Sequence, residues 1–316
     1  MVRRLTVSQP MVEQTSLPPV TAIYTAFLCV LFGANAVAIK ISLVGLGIYT
    51  TAALRFSIAT LVIWAWAFST QKPLKITAIQ FLKLVPSGVI FFCQLALFYT
   101  GLSKTTASHG TLISNALPFI IMVLAHFFIP GETITWKKTT GLLIGFIGVV
   151  VLFSDKVTLT GHGLEGDMIV LAAVLFWGCN AVYVKRIIHD FHPVQITLYP
   201  MAIALPLLII GSLFVDNERV RFLNPDIISA MVYQALVTAS FAFIAWNTLV
   251  KRYGTTLLHS FVFIMPLSGV FFGVLLLNEP LTANLMVSIA LVTTGLIVVN
   301  KNGIKRPVEQ PAKQEG

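Results

Sequence analysis

The stretch Gly33-Ala34-Asn35-Ala36-Val37-Ala38-Ile39-Lys40 returns 145 residues later as Gly178-Cys179-Asn180-Ala181-Val182-Tyr183-Val184-Lys185, with five identities in eight positions. Ala and Val matches are cheap in an apolar chain; Gly, Asn and Lys recurring in register are not. Lys104 with Arg252 and Pro118 with Pro266 repeat at an offset of 148, and Glu132 with Glu279 and Gly148 with Gly295 at 147. The chain therefore reads as two related halves.

What the halves are follows from composition. Of 316 residues, 57% are hydrophobic and only 10% are charged, with a mean hydropathy of +0.88. A water-facing surface needs about a quarter of its residues ionic, so the expected solvent is a lipid bilayer. Spanning about 30 Å of hydrocarbon takes about 20 helical residues. Ten apolar runs approach that length: 20–39, 48–68, 84–103, 105–130, 139–154, 168–184, 193–215, 227–250, 253–278 and 280–300. The fifth and sixth are short, and Lys137-Lys138 and Lys185-Arg186 extend them by snorkelling. The expected fold is an all-α integral membrane protein with ten transmembrane helices in two five-helix repeats, 20–154 and 168–300. A linker, 155–167, joins them, and tails 1–19 and 301–316 flank them. Residues 7–19 hold Glu13 and three prolines where a signal peptide needs an apolar core, so no cleaved signal is expected.

Ten spans put both termini on one side. The loops on that side hold 15 Lys and Arg residues and the opposite loops 5, with Arg55 inside the second run completing the 21. The basic side is cytoplasmic, so the formal charge of +9 is a topology signal and not a nucleic-acid footprint. All twelve Asp and Glu residues fall in loops, tails or helix ends, which disfavours a pump built on a mid-membrane carboxylate relay. Cys29, Cys93 and Cys179 stand alone in apolar runs and read as buried small hydrophobes. An odd number of spans per repeat inverts the second half in the membrane, the geometry that alternating access requires.

The G-x-N-A-V-x-x-K motif in the first and sixth spans, Arg55-Phe56 in the second, and the paired stretches 118–132 and 266–279 resemble the EamA type of the drug/metabolite transporter superfamily. The resemblance covers about residues 20–300. It implies a central cavity enclosed by the first, third, fourth, sixth, eighth and ninth spans, with the fifth and tenth as buttresses. It also implies export of amino acids or other small metabolites, without naming a substrate.

Arg55 is the only formal charge well inside a span, and such a residue is functional by default. Its two readings are a bidentate grip on a substrate carboxylate and an outward snorkel onto carbonyls. Asn35 and Asn180 each need a partner in the membrane, in an interhelical bond or at a cavity or gate; Gly33 and Gly178 beside them permit close approach or bending. Gln94, Asn115, Gln234, Thr238, Ser240 and Asn247 form a dispersed polar set for a cavity. Tyr99, Trp177, Tyr183, Tyr199 and Trp246 are its apolar walls or else interface anchors. Pro118 and Pro266 are read as hinges inside the fourth and ninth spans. Glu132 and Glu279 are read as caps on the fifth and tenth helices, with Pro280 at the first helical position.

His109, His259 and His126 lie near helix ends, where a backbone or interfacial bond outweighs proton coupling. Gly141 with Gly145 and Gly269 with Gly273 are close-packing pairs, within one chain or between two, leaving monomer and homodimer open. No metal, cofactor or enzyme motif is present: Gly45-Leu46-Gly47 lacks the third glycine of a dinucleotide loop. The expectation is an inner-membrane carrier, partnered by lipid and a small-molecule substrate, exporting amino-acid-like polar metabolites by alternating access. A channel and an uptake carrier are the alternatives; saturation kinetics separate carrier from channel.

Overall fold

A computed structural model describes residues 17–129, 136–154, 163–253, 258, 261, 262 and 264–300. Its elements are α1 (Pro19–Gly45), α2 (Ile48–Ser69), α3 (Ala78–Lys104), α4 (Ala107–Ser114), α5 (Leu117–Phe128), α6 (Trp136–Phe153), α7 (Gly163–Ile187) and a 3₁₀ turn, Ile188–Asp190. These are followed by α8 (Pro193–Phe214), α9 (Pro225–Val232), a π segment (Tyr233–Ala242), α10 (Phe243–Tyr253), α11 (Ile264–Leu277) and α12 (Ala283–Asn300).

Local chemistry sets the boundaries. Pro19, Pro193 and Pro225 open their helices, where a missing N–H costs nothing. Thr77 with Gln80 forms a capping box on α3, and Asn224 accepts the Ile227 N–H at 2.8 Å on α9. Gln71 and Asn278, both at φ 52°, turn the chain out of α2 and α11.

Seven helical stretches are long and apolar enough to cross a membrane, and Thr139–Leu152, Ile264–Leu277 and Ala283–Val298 are shorter apolar helices. Leu61, Phe127, Phe146, Phe214 and Leu275 stand exposed on their outer surfaces, where lipid and not water is the solvent that accepts them. The chain is a multi-pass membrane protein. One apolar cluster joins α1, α2, α3 and α8 around Phe56, Leu95 and Met201; a second joins α4, α5, α6, α7, α11 and α12 around Leu112, Phe119, Val174 and Val292. α1 packs on α11, α3 on α7 and α8, α2 on α8 and the π segment, and α6 on α12.

Several elements depart from the sequence reading. The fourth run is two helices: the chain leaves α4 at Asn115, and Pro118 is the second residue of α5, so the break precedes the proline. Pro266 is the third residue of α11, among the N–H groups that have no intrahelical acceptor, and breaks no helix. The eighth run is wound as π over ten residues, which no hydropathy pattern signals. α7 begins at Gly163, inside the expected linker.

The glycine spacing joins helices within one chain. A Cβ at Gly295 would meet the Gly141 carbonyl oxygen and the Gly145 nitrogen at 2.7 Å, and one at Gly269 would meet Thr111. Cys179 is exposed, contrary to expectation, while Cys29 is buried. Glu132 and His259 lie outside the described residues.

Candidate functional site

The Arg55 side chain starts two turns into α2 and points inward, with 3% of its surface exposed. Nη1 donates to the Tyr99 hydroxyl of α3 at 3.0 Å and Nη2 to the Thr238 hydroxyl of the π segment at 3.2 Å. The guanidinium carbon lies 4.9 Å from the Phe56 ring centroid. Nε is buried without a partner, and no described carboxylate reaches the group. The snorkelling alternative is thereby replaced by an inward, charge-assisted network.

Its neutral members interlock. Tyr99 donates to Gln234 Oε1 at 3.3 Å, and Gln234 Nε2 donates to the Ala38 carbonyl at 3.0 Å and to Ser42 Oγ at 2.7 Å. Thr238 Oγ1 lies 3.0 Å from Asn35 Oδ1 and 2.8 Å from the Gln234 carbonyl, so its one proton serves two acceptors. The π winding helps present this set: Gln234 and Thr238, four apart, both bond α1, and Thr238 also meets Arg55, while Ser240 turns back onto the Ala235 carbonyl five residues before it. Asn35, Arg55, Tyr99 and Gln234, four of the expected site residues, thus meet across α1, α2, α3 and the π segment. Ser42 completes the set and was missed, since a serine near a helix end carries no signal of its own.

The other expected residues lie apart from this network. Asn180 accepts from Ser87 at 2.8 Å, joining α7 to α3. Asn115 bonds back to the Thr111 carbonyl at 2.8 Å, within its own turn. Gln94 is buried on α3 with Oε1 unpartnered. Trp177 is exposed, and Trp246 packs edge-on against Phe32 with ring centroids 5.9 Å apart. Gly33 and Gly178 are close-approach positions: a Cβ would meet the Met265 carbonyl at 2.5 Å in one case and Ile120 at 2.5 Å in the other.

Each end of the bundle is tied. At one end Lys40 Nζ donates to the Leu102 and Thr105 carbonyls, and Asp216 accepts the Tyr49 and Thr50 N–H groups opening α2. Glu279 does not cap the helix that follows it. Its carboxylate accepts the Ala107 and Ser108 N–H groups of α4 at 2.6 and 2.8 Å, while Thr282 caps α12, which starts at Ala283 and not at Pro280. At the other end Lys83 pairs with Asp190 at 2.6 Å, and the Tyr183 and Tyr199 hydroxyls donate to backbone carbonyls of α3's first turns and the segment before it. There His192 caps α8, its Nδ1 accepting the Val194 N–H at 3.3 Å. Burial first, then the Lys251 and Lys72 charges, push its imidazole below the ordinary histidine value.

This multi-pass helical protein thus encloses, among hydroxyls and amides, a cation that no described carboxylate pairs. The family comparison is specific: a model of the EamA-like transporter family matches residues 20–154 and again 164–301. The chain belongs to that family, and is a transporter and not an enzyme. It is 26% identical over 279 residues to the "Probable amino-acid metabolite efflux pump" of Escherichia coli (strain K12), covering 85% of this chain and 91% of that protein. It is 27% identical over 226 residues to the "Uncharacterized transporter YyaM" of Bacillus subtilis (strain 168), covering 69% and 73%. A solved crystal structure shares the fold at a TM-score of 0.67 and 18% identity, covering 90% of this chain and 98% of its own.

Proposed function

We propose that the chain is a secondary exporter of small metabolites bearing a carboxylate, amino-acid-like in size, working by alternating access in the cell's inner membrane with both termini cytoplasmic. The observation that carries this reading is Arg55: a cation 3% exposed, hydrogen-bonded among the described residues only to neutral groups, with Nε open. A bare charge in a low-dielectric interior is costly, and an anionic substrate offsets that cost by a charge-assisted bond to the guanidinium. Tyr99 and Gln234 are fully buried around it, so substrate access requires the helices to part, which distinguishes a carrier from an open pore.

Two inverted five-span repeats supply that motion in this reading. The pairing of α1 with α11 and with the π segment has its counterpart in the pairing of α7 with α5 and with α3. The bond of Asn35 to Thr238 has its counterpart in that of Asn180 to Ser87. Both patterns are what exchanging the halves about an axis in the membrane plane produces. Gly33, Gly178 and the break ahead of Pro118 are the proposed flexing points, with Pro266 opening α11. The relative named as an amino-acid metabolite efflux pump supports the direction and the substrate class.

The test compares metabolites accumulating outside cells that express the wild type or an Arg55→Ala variant of equal abundance, followed by transport of the leading metabolite in proteoliposomes. Saturable efflux by the wild type that is lost in the variant is expected. Efflux of carboxylate-bearing metabolites undiminished by Arg55→Ala overturns the assigned site, and flux proportional to concentration without saturation overturns the carrier mechanism.

A further inference from the structure

Between α2 and α8, at the end where Asp216 holds the opening of α2, the surface carries a groove of about 190 Å³. Thr50, Ala53, Leu54 and Ser57 line it on α2, and Ile209, Ser212 and Leu213 on α8. Positions spaced i, i+3, i+4 and i+7 form one stripe along a helix, so the groove runs with the helix axes for about 10 Å. Leu54, Ile209 and Leu213 are exposed, whereas Thr50, Ala53 and Ser212 are buried. Branched apolar chains therefore flank a floor of small ones, and the open side meets lipid. The volume lies below the range of about 300–1,000 Å³ usual for small-molecule pockets, and the shape suits a slender chain parallel to the helices.

Polarity changes along the groove. At the end nearest Asp216, the Ser212 hydroxyl donates to Thr50 at 2.7 Å, and Thr50 donates to Asp216 Oδ2 at 2.8 Å. Further in, Ala53, Leu54 and Ile209 present hydrocarbon, and Ser57 contributes a small side chain at the inner end of the α2 stripe.

Arg219 stands at the polar end. Its Nε and Nη2 donate to the carbonyls of Ser212 and Leu213, two of the lining residues, at 3.2 and 3.1 Å. A guanidinium carries five N–H donors, so three remain, both on Nη1 among them. Glu218 pairs with Arg221 at 3.3 Å, and Asp216 is taken up by the Tyr49 and Thr50 N–H groups and the Thr50 hydroxyl. No described carboxylate pairs with Arg219. An exposed cation with free donors thus heads an apolar groove, and its complement is an amphiphile with an anionic head and a hydrocarbon tail. Phosphate oxygens match the guanidinium fork.

We infer that this groove is a binding site for a glycerophospholipid, with one acyl chain lying between α2 and α8 and the phosphate on the free donors of Arg219. α2 falls in the first segment matched by the family model and α8 in the second, so the bound lipid spans the seam between them. The site lies outside the Arg55 network and does not rest on the exporter reading.

The test uses the full-length chain in maltoside micelles, stripped of co-purified lipid, with native mass spectrometry counting bound dioleoylphosphatidylglycerol. The wild type is expected to retain one molecule above the level seen with Ser57→Phe, which fills the groove. Arg219→Gln should weaken retention about tenfold, the effect of losing one charge-assisted bond. Arg219→Lys should weaken it less, and Arg221→Gln, which alters the neighbouring arginine, should leave it unchanged. Dioleoylglycerol, which has the chains without the phosphate, and inorganic phosphate, which has the anion without the chains, should both compete poorly. This competition series on the wild type decides the matter should Arg219→Gln fail to fold.

A photoreactive form of the same lipid, with a diazirine in one chain, is expected to label residues 50–57 and 209–213. Labelling confined to other helices, retention undiminished by Arg219→Gln, or equal competition by dioleoylglycerol or by inorganic phosphate overturns the inference. A disulfide between two copies through Ser57→Cys, formed in a Cys-free background with the lipid in excess, would give the groove to a second copy of the chain and overturn it as well.

Discussion

Tyr99→Phe removes one oxygen and leaves the ring, so its effect isolates the network around Arg55. The hydroxyl accepts from Arg55 Nη1 at 3.0 Å and donates to Gln234 Oε1 at 3.3 Å, with Tyr99 fully buried. Neutral interhelical bonds in membrane proteins average about 0.6 kcal/mol and reach about 1.7 kcal/mol. Bonds to charged groups contribute about 1.5–3 kcal/mol, and an orphaned partner adds its own desolvation cost. The expected loss is therefore about 2–3 kcal/mol, above the ceiling for neutral bonds. Thr238→Val strips Nη2 in the same way, and the double variant should depart from additivity by at least about 0.5 kcal/mol, because both changes act on one guanidinium. Unfolding by denaturing detergent in mixed micelles measures all three. A Tyr99→Phe loss near 0.6 kcal/mol, additive with Thr238→Val, would mean that water already solvates Arg55 and would refute the closed network.

Two further outcomes are expected. Gly295→Ala places a Cβ against α6 backbone at 2.7 Å on two atoms and should cost about 1–3 kcal/mol through forced separation of α6 and α12, read as a lowered unfolding midpoint with unchanged helix content. For His192, the folded-state value lies below the ordinary one, so its contribution is full above about pH 6.5 and is lost as pH falls through the folded value, when protonation of Nδ1 removes the acceptor for Val194. His192→Asn, a capping residue without a titration, should therefore lose less thermal stability than the wild type between about pH 7 and pH 5.

The legible part of this molecule is the part written in hydrophobic length and in rare residues. Apolar runs announced the helices, and Asn35, Arg55 and Gln234 stood out because polar groups in a span require partners, whereas Tyr99 was read as a cavity wall or interface anchor and its hydroxyl's place in the network was not legible. Which partner each takes was not legible, since helix rotation is set by packing between segments far apart in sequence. Asn115 satisfies itself within one turn, whereas Asn35 reaches across to Thr238. Glu279 shows the same limit: adjacency suggested a cap on the next helix, but two N–H groups of α4 lie within its reach. Asp167 looked like a linker residue because burial of a carboxylate depends on a histidine 58 positions away. The π winding has no sequence rule at all.

That winding carries a geometric consequence for the helix beyond it. A π turn holds about one residue more than an α turn, and one residue in an α-helix is worth about 100° of azimuth and 1.5 Å of travel. Rewinding a single turn of Tyr233–Ala242 would act as a screw thread, swinging all of Phe243–Tyr253 around its axis while α9 stayed fixed. Phe243 and Trp246, whose ring centroids lie 5.8 and 5.9 Å from that of Phe32, would sweep off α1 together. The helix that holds Arg55 at one level thus contains the means to shift an aromatic seam at another.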